Sequence, residues 1–420
     1  MAYTLNDIFK EIYAQKTLIL SKGGQIEYQS PNPSLKDITK GIESIPTLLL
    51  QGGTYSIRCT ETANTTFTLK LGEAVIDTKT NDATIGGSVI FTPTAVGNYT
   101  IVATQNGTEK WTKTIGVQQV GEIVCKSPIP VRNYTEDERD LAAKNHYAKY
   151  MFELLDYVDD PSFVGSTSAT YIRRFIVGFD EMELSDGTGL AGITWHYRAT
   201  PSQYKMHTTN DNGVSWEGCD MRATHCLPAN SNYYVYDKTV TDTTVGTYYS
   251  YDYAINNFVE RTLPDEYVAT EDYYVKNTTV EDGTIYAGIV ESFRKNLVKV
   301  KVKTWRGWTK QITLTTVAVN DDKYIISHDY VFLPSGVEDY GERPEISNLS
   351  YWGYKPDEGK PFGFQSLNKK WYNIYASDVT WLRSPNVYSS SYFCFWYDSN
   401  GNVYSNSATS TKRSTICVCQ

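Results

Sequence analysis

Short segments of alternating apolar and polar residues recur between Leu48 and Val120, and they constrain the fold of this region strongly. They read TYSIRCT, TFTLKLG, SVIFTP, NYTIVATQ and WTKTIGVQQV, with Gly, Asn and Asp residues between them. Side chains of a strand point alternately to its two faces, so this period of two predicts strands with one buried face. Several short strands at this spacing indicate a β-sandwich, which we place at residues 47–120.

The stretch VGNYTIVAT within this region resembles the tyrosine-bearing strand of Ig-like domains, with Tyr99 at the tyrosine-corner position. Cys59 has no second cysteine near that strand, so the disulfide of Ig domains is not expected. The resemblance implies an Ig-like spacer or decoration module without a catalytic signature.

The overall composition is that of a folded protein with several domains. Of 420 residues, 40% are hydrophobic and 21% are charged. The net charge is −9 and no block of Lys or Arg stands out, so no nucleic-acid partner is expected. No apolar run of 18 residues occurs, so no membrane span is expected. Tyr outnumbers Phe by 34 to 14, a bias typical of β-rich proteins and interfaces.

The seven cysteines have no framework spacing and predict free thiols from a reducing compartment. The first residues lack the basic and apolar regions of a secretory signal. We therefore expect synthesis in a bacterial cytoplasm without export by that route.

Residues 1–46 are predicted to be helical. Leu5, Ile8, Ile12 and Ile19, with Gln15 at the remaining position, follow three- and four-residue steps within a helix at Thr4–Ser21, and a second helix starts at Ser34. The stripe fits an intermolecular coil or one amphipathic helix packed on its own domain. A coil would make the protein a homo-oligomer, with a trimer favoured.

Residues 121–169 are predicted to form a linker and a helix. Thr135 and Glu138 have the spacing of a capping box. The apolar face of this helix is predicted to comprise Leu141, Ala148, Phe152 and Leu155, with Pro161 just beyond its end. From residue 170 the chain is β-rich or α+β. There Val298, Val300 and Val302 alternate with lysines in a half-exposed strand. The segments SGVEDYGERPE and GYKPDEGKPFGF are predicted to be long loops.

The last forty residues, from Trp381 to Gln420, are rich in Tyr, Ser and Asn and nearly uncharged. FCFWYDSNGNVYSNS predicts a hairpin that turns at Asn400-Gly401. Such a segment is poor core material, but Tyr and Ser provide adaptable contacts at a binding surface. The predicted ligand-binding residues are Asn386, Tyr388, Ser389, Ser390, Ser391, Tyr392, Phe393, Phe395, Trp396, Tyr397, Tyr404 and Asn406.

Two stretches resemble bacteriophage proteins. The opening, IYAQKTLILSKGGQIEY…SLKDITKGIESIP, resembles N-terminal segments of phage tail and adhesin proteins. The elements WEGCDMR, DYVFLPS and WLRSP occur in the order found in a domain family of Firmicutes and their phages, with Glu338 as the trailing acid of the second element. That family is similar to the C-type-lectin-like fold of formylglycine-generating enzymes and of the variable proteins of diversity-generating retroelements.

This second resemblance covers residues 170–420 and implies a C-type-lectin-like receptor-binding domain. The ending RSTICVCQ departs from the Gly-Val-Arg-Pro strand of the family and leaves the pairing of the last strand open. Arg383 suits a guanidinium that bridges backbone carbonyls or a carboxylate. We therefore predict structural roles for Trp381, Arg383, Phe332, Trp216 and Arg222.

Catalytic and metal sites are not predicted, and neither is a cofactor. The five histidines have no HExxH spacing, and Cys219, His225 and Cys226 lack a fourth zinc ligand. Cys417 and Cys419 resemble the paired thiols of formylglycine-generating enzymes, but on a strand such positions simply share one face. The run Asp398–Asn402 resembles a calcium loop without its downstream Glu, which favours a turn.

The sequence therefore predicts a multidomain, β-rich α+β virion protein: a helical attachment segment, an Ig-like sandwich and a C-type-lectin-like domain. Its expected partners are a host-surface glycan or protein and other virion proteins. Residues 386–419 have the composition of a stretch diversified by a retroelement, and an ordinary Tyr/Ser-rich lectin-like loop fits equally well. The alternatives are a head-fibre or capsid-decoration protein without receptor binding and, at lower rank, a formylglycine-type oxidase.

Overall fold

The computed structural model describes residues 54–118, 120–161, 171–198, 200, 202–209, 215–306, 323–340, 358–367, 380–385, 394–397 and 403–420. The predicted N-terminal helices lie outside these residues. Strands make up 43% of the structure and helices 16%, which confirms the predicted β-rich class. The chain divides into two compact units, Met1–Pro128 and Ile129–Gln420.

In the described part of the first unit, seven strands form two sheets. These strands are β1 (Tyr55–Glu61), β2 (Thr65–Leu71), β3 (Ala74–Thr80), β4 (Gly87–Phe91), β5 (Gly97–Gln105), β6 (Thr108–Val117) and β7 (Gly121–Cys125). One sheet has the order β4-β1-β7 and the other β3-β2-β5-β6, and all strand pairs are antiparallel except β1 with β7. Buried and half-buried residues alternate along β1, β2, β4 and β5, so each sheet buries one face.

Tyr99 on β5 is buried, and its hydroxyl donates to the carbonyl of Ala95 at 2.8 Å, four residues upstream. This backward hydrogen bond is the geometry of a tyrosine corner. Another polar contact of this core joins Trp111, whose Nε1 donates to Glu61 at 2.8 Å, while Lys110 pairs with the same carboxylate at 3.2 Å.

A buried thiol pair was not foreseen in the first unit. β7 runs parallel to β1, and their register places Cys125 directly opposite Cys59. Both are buried free cysteines. The hydrogen bond between the two side chains, followed by burial, raises the pKa of Cys59, and the same bond lowers the pKa of Cys125. Because β7 extends to Cys125, residues 121–128 belong to the first unit rather than to a free linker.

The second unit opens with helix α1 (Glu136–Lys144) and the short helix α2 (Ala148–Met151). The predicted capping box is confirmed, since Glu138 N donates to Thr135 Oγ1 and Thr135 N donates to Glu138 Oε2. The prediction of one helix extending almost to Pro161 is wrong. His146 adopts a positive φ of 56°, which ends the helical path, and residues before Pro161 form a strand.

Strands make up most of the second unit. They are β8 (Tyr157–Pro161), β9 (Tyr171–Gly178), β10 (Thr194–Tyr197), β11 (Tyr204–Lys205), β12 (Asn232–Tyr236), β13 (Gly246–Asp252), β14 (Asn257–Leu263), β15 (Tyr273–Thr278), β16 (Val300–Trp305), β17 (Tyr324–Asp329), β18 (Val331–Phe332), β19 (Thr380–Trp381), β20 (Cys394–Tyr397), β21 (Val403–Asn406), β22 (Thr411–Ser414) and β23 (Cys417–Cys419). The remaining α-helices of the described residues are α3 (Thr284–Gly288), α4 (Glu291–Arg294) and α5 (Gly336–Tyr340). Short 3₁₀ helices lie at Val131–Asn133, Trp216–Gly218 and Gly363–Leu367, and a π-helical turn lies at Met221–Cys226.

These strands form four sheets in the described part of the unit. Two have five strands, in the orders β18-β23-β10-β9-β8 and β11-β22-β19-β20-β21. A four-stranded sheet has the order β12-β15-β13-β14, and β16 pairs with β17 alone. The alternation in β16 is as predicted: Val300 and Val302 are buried, and Lys301 and Lys303 are half-buried.

The C-terminal strand β23 lies inside the first of these sheets. It pairs antiparallel with both β10 and β18, and Cys417, Val418 and Cys419 are fully buried. The ending that departs from the family pattern is therefore a core strand. A single core cluster joins it to Ala142 and Ala143 of α1.

The segment SGVEDY is not a loop as predicted. It forms α5, because Ser335 Oγ accepts from the Glu338 N–H at 3.2 Å and Ser335 N donates to the Glu338 carboxylate at 3.0 Å. This reciprocal pair is a capping box that the sequence interpretation missed. Across the described residues, helices long and apolar enough to cross a membrane are absent.

Candidate functional site

The structure divides the predicted ligand-binding residues into two groups. One group, Asn386, Tyr388, Ser389, Ser390, Ser391, Tyr392 and Phe393, lies outside the described residues. The other lies on two paired strands: Phe395, Trp396 and Tyr397 on β20, and Tyr404 and Asn406 on β21. The predicted hairpin is thus confirmed in its strands, with Cys394 opposite Asn406 and Tyr397 opposite Val403. The turn at Asn400-Gly401 and the calcium-like run Asp398–Asn402 lie outside the described residues.

The hairpin β20–β21 stands at one end of a five-stranded sheet. Its strand β20 pairs with β19, so that Trp396 lies opposite Trp381, and β21 is the last strand in the order. Asn406 has a local structural use, since its Oδ1 accepts from Ser407 N at 2.8 Å and from Ser410 Oγ at 3.3 Å. These bonds fix the chain where β21 ends.

Trp381 on β19 anchors this sheet to the core. Its side chain is fully buried, and its indole Nε1 donates to the carbonyl of Tyr204 at 2.9 Å. Tyr204 lies on β11, at the opposite end of the sheet order from the hairpin. The indole is buried in the core, and its only N–H group donates to a backbone carbonyl. Both contacts fix the position of β19.

The strongest polar cluster lies directly after β19 and comprises Arg383, Glu338 and Glu358; we call it the Arg383 cluster. The Arg383 guanidinium is 1% exposed and binds both oxygens of the Glu338 carboxylate. It also donates to the carbonyls of Leu333 at 2.7 Å and Glu358 at 2.7 Å. A guanidinium can satisfy five donors in one plane, and here a carboxylate and several carbonyls take them.

The electrostatics of the cluster keep Arg383 charged. Burial lowers the pKa of Arg383 and the Glu338 carboxylate raises it, with a net upward shift. Burial raises the pKa of Glu358 to about 7, although its carboxylate accepts from the Trp305 N–H at 2.9 Å. Ser384 completes the frame, since its hydroxyl accepts from Gly336 N at 3.0 Å at the start of α5.

A second buried cluster, the Arg222 cluster, comprises Trp216, Glu217, Arg222 and Asp329. Trp216 Nε1 donates to Asp329 Oδ2 at 2.9 Å, and Arg222 Nε donates to Asp329 Oδ1 at 2.7 Å. Arg222 also contacts the Glu217 carboxylate at 3.1 Å. Its backbone lies in a π-helical turn, Met221–Cys226, in which Leu227 N donates to Arg222 O.

The three sequence elements WEGCDMR, DYVFLPS and WLRSP therefore meet in space. Asp329 of the second element binds Trp216 and Arg222 of the first, and Glu338 after the second element binds Arg383 of the third. Phe332, fully buried on β18, lies beneath the Arg383 guanidinium at 5.9 Å from ring centroid to Cζ. These residues build the frame that positions the hairpin, and their side chains are withdrawn from solvent.

The cysteines that the sequence analysis considered as catalytic or metal-binding residues are also buried. Burial raises the pKa of Cys417 well above its usual range and that of Cys419 to about 12, so both remain thiols. Cys417 lies opposite His196, whose Nε2 is 3.2 Å from the Asp339 carboxylate, but all three side chains are fully buried. Cys219 donates to the carbonyl of Trp216 at 3.4 Å, and burial raises its pKa to about 12. A nucleophilic cysteine requires an accessible thiolate, which this environment does not supply.

Comparisons with protein-family models, with curated protein sequences and with solved structures give no significant match to the chain.

Proposed function

We propose that the protein is a receptor-binding protein, an adhesin, on the surface of a phage virion. In this proposal the first unit is an Ig-like spacer and the second a C-type-lectin-like domain. The target is a glycan or protein of the host surface, and the Tyr/Ser/Asn-rich stretch from Asn386 to Asn406 contacts it. Residues 1–46 attach the protein to other virion proteins and assemble its copies, with a trimer favoured.

The observation that carries the proposal is the position of the hairpin relative to its frame. The uncharged strands β20 (CFWY) and β21 (VYSN) occupy the end of a sheet, and the next strand, β19, leads within two residues into the Arg383 cluster. Binding surfaces are commonly adaptable segments held by a rigid scaffold. Tyr supplies large contact area at low entropic cost, and Ser and Asn supply hydrogen bonds.

The two alternatives find less support in the described residues. A capsid-decoration protein would use the first unit and leave the nearly uncharged hairpin without a role. An oxidase of the formylglycine type would need accessible, reactive thiols, whereas Cys417 and Cys419 are fully buried and protonated.

Adsorption of the purified protein to bacterial cells tests the proposal. Replacing Tyr388 and Tyr392 together by Ala should abolish binding to host cells, while folding and self-assembly stay intact. Val280→Ala is the control, because Val280 is 88% exposed and follows β15, a strand of a different sheet from the hairpin. Unchanged adsorption of the double variant would reject the site, and binding to capsids in place of cells would favour the decoration protein.

The neighbouring DNA tests the finer proposal that residues 386–419 are diversified. A reverse-transcriptase gene with a near-copy of the coding segment should lie beside this gene. If the surrounding genes encode tail proteins and no such copy, the segment is an ordinary binding loop.

A further inference from the structure

A cavity of about 380 Å³ lies in the second unit, and the described residues that line it do not include any from the hairpin β20–β21. It forms where the sheet β12-β15-β13-β14 meets the ends of β16 and β17. The contact between these sheets is fixed by Tyr251, whose hydroxyl accepts from the Ile326 N–H at 3.0 Å. The volume is within the range of small-molecule sites, which is about 300–1,000 Å³. We call this site the Tyr274 cavity.

Two of the buried polar atoms at this cavity are notable because they have no hydrogen-bond partner among the described residues. One is the hydroxyl of Tyr274, a side chain that is 3% exposed, and the other is Oε2 of Glu271. Glu271 Oε2 lies 3.6 Å from Arg261 Nε, which is beyond a hydrogen bond. Buried polar groups are nearly always satisfied, so this pair marks a place where a polar molecule can bind.

Tyr274 can act as a hydrogen-bond donor over the whole physiological pH range. Burial, followed by the Asp272 carboxylate, raises the pKa of Tyr274 well above its usual range, so the hydroxyl keeps its proton. Glu271 Oε2 is an acceptor when ionised. The two groups together fit a ligand that both accepts and donates hydrogen bonds, as a sugar hydroxyl does.

Positive and negative side chains line the cavity in equal number: Arg261, Arg306 and Lys323 against Asp252, Glu271 and Asp272. The Lys323 ammonium lies over the Tyr253 ring, 5.5 Å from its centroid. Arg306 binds Asp272 at 2.9 Å in a buried ion pair, and Arg261 faces Glu271. Asp252 closes its own turn, with its Oδ1 accepting from Ala254 N at 2.8 Å. A site for phosphate or a carboxylate would present an excess of cations. The balance here favours a neutral ligand.

Aromatic rings supply the apolar part of the wall. Tyr251 and Tyr253 meet edge to face, with ring centroids 5.0 Å apart, and Tyr253 is 37% exposed at the cavity. The C–H face of a pyranose ring packs on an aromatic ring, while its hydroxyls need donors and acceptors beside that ring. We propose that the Tyr274 cavity is a binding site for a neutral saccharide. This inference does not rest on the proposed function of the hairpin.

Titration of the full chain with free sugars tests the inference. The probes are glucose, galactose, mannose and N-acetylglucosamine, with glucuronate and inorganic phosphate as charged comparisons. Binding is detected by saturation-transfer NMR and quantified by calorimetry. We expect at least one neutral sugar to bind, and Tyr274→Phe and Glu271→Gln each to weaken that binding by about tenfold, because each removes one hydrogen-bonding group.

Tyr249→Phe is the matched control, because its hydroxyl lies on the same sheet but donates to Glu260 at 2.9 Å at an exposed position. This variant should bind the sugar like the parent chain, and so should the Tyr388/Tyr392 double Ala variant. The proposal is overturned if no neutral sugar binds, if glucuronate or phosphate binds more tightly, or if binding survives both cavity substitutions. If the Tyr388/Tyr392 double Ala variant loses cell adsorption but still binds the sugar, the result bears on the proposed role of the hairpin and leaves the cavity proposal standing.

Discussion

Two buried polar regions of the second unit, the Arg383 cluster and the Tyr274 cavity, differ in how completely their groups are satisfied. In the Arg383 cluster the guanidinium donates to both oxygens of Glu338 and to surrounding carbonyls. In the Tyr274 cavity a tyrosine hydroxyl and a carboxylate oxygen have no such partner among the described residues. Buried charge with every donor used indicates a structural role, whereas buried polarity left open to a cavity indicates binding.

The largest expected effect is at Arg383. Arg383→Gln leaves the Glu338 carboxylate buried without its cation and should lower the free energy of unfolding by about 3–5 kcal/mol. Chemical denaturation measures this loss. Arg173→Gln is the control, because Arg173 and its partner Asp159 are each about a third exposed and such pairs contribute below about 1 kcal/mol. Equal losses in the two variants would contradict a special role for the cluster.

The next effect is a pH dependence at Glu358. Its pKa rises on folding from 4.5 to about 7, so the folded state holds a proton that the unfolded state releases between these values. The stabilisation that this group contributes is therefore full below pH 4.5 and is lost as the pH rises to 7, by about 3 kcal/mol. Glu358→Gln mimics the protonated form and should flatten the fall. Denaturation midpoints measured from pH 4.5 to 8 should show this, and an unchanged slope would assign the dependence elsewhere.

Each unit contains a tryptophan whose indole donates a hydrogen bond to a buried carboxylate, so the cost of losing such a bond can be compared between the units. Trp216 Nε1 donates to Asp329 at 2.9 Å in the second unit, and Trp111 Nε1 donates to Glu61 at 2.8 Å in the first. Replacing either by Phe leaves a buried carboxylate short of one donor and should cost about 1–3 kcal/mol. Thermal unfolding followed by tryptophan fluorescence measures both losses. A negligible loss at Trp216 would show that Arg222 alone satisfies Asp329.

The smallest expected effect is at Tyr274. Because its hydroxyl has no partner among the described residues, Tyr274→Phe should change stability by less than about 0.5 kcal/mol. Tyr197→Phe is the matched case, since the buried Tyr197 hydroxyl donates to Asp160 at 2.7 Å and its loss should cost about 1–3 kcal/mol. Similar losses in the two variants would remove the distinction between the satisfied and the open site.

Local patterns predicted much of the secondary structure. Strand alternation located β1, β2, β4, β5 and β6 of the first unit but not β3 or β7, and the Thr135–Glu138 spacing located the start of α1. The Tyr- and Asn-rich ending predicted a hairpin, which the pairing of β20 with β21 confirms. These features depend on neighbours within a few residues, so the chain itself carries the signal.

Other features escaped prediction for physical reasons. The sheet β12-β15-β13-β14 was missed although Tyr recurs at alternate positions in TYYSYD, because Tyr fits both core and surface. Arg174 is another example, since its guanidinium is fully buried against Glu136 at 2.6 Å and over the Phe293 ring at 3.4 Å. A lone Arg in a strand gives no sign that it will be buried until its distant partners are known.

The sequence by itself determined the β-rich class, the residues that favour strands and caps, and the suitability of Arg383 for bridging carboxylate and carbonyl groups. Only the tertiary structure decided which acid Arg383 binds, that Cys59 faces Cys125, and that Tyr274 and Glu271 meet at one cavity. The physical reason is distance along the chain: Arg383 and Glu338 are 45 residues apart, and Cys59 and Cys125 lie on parallel strands. Such contacts follow from strand order and register, which local propensity does not specify.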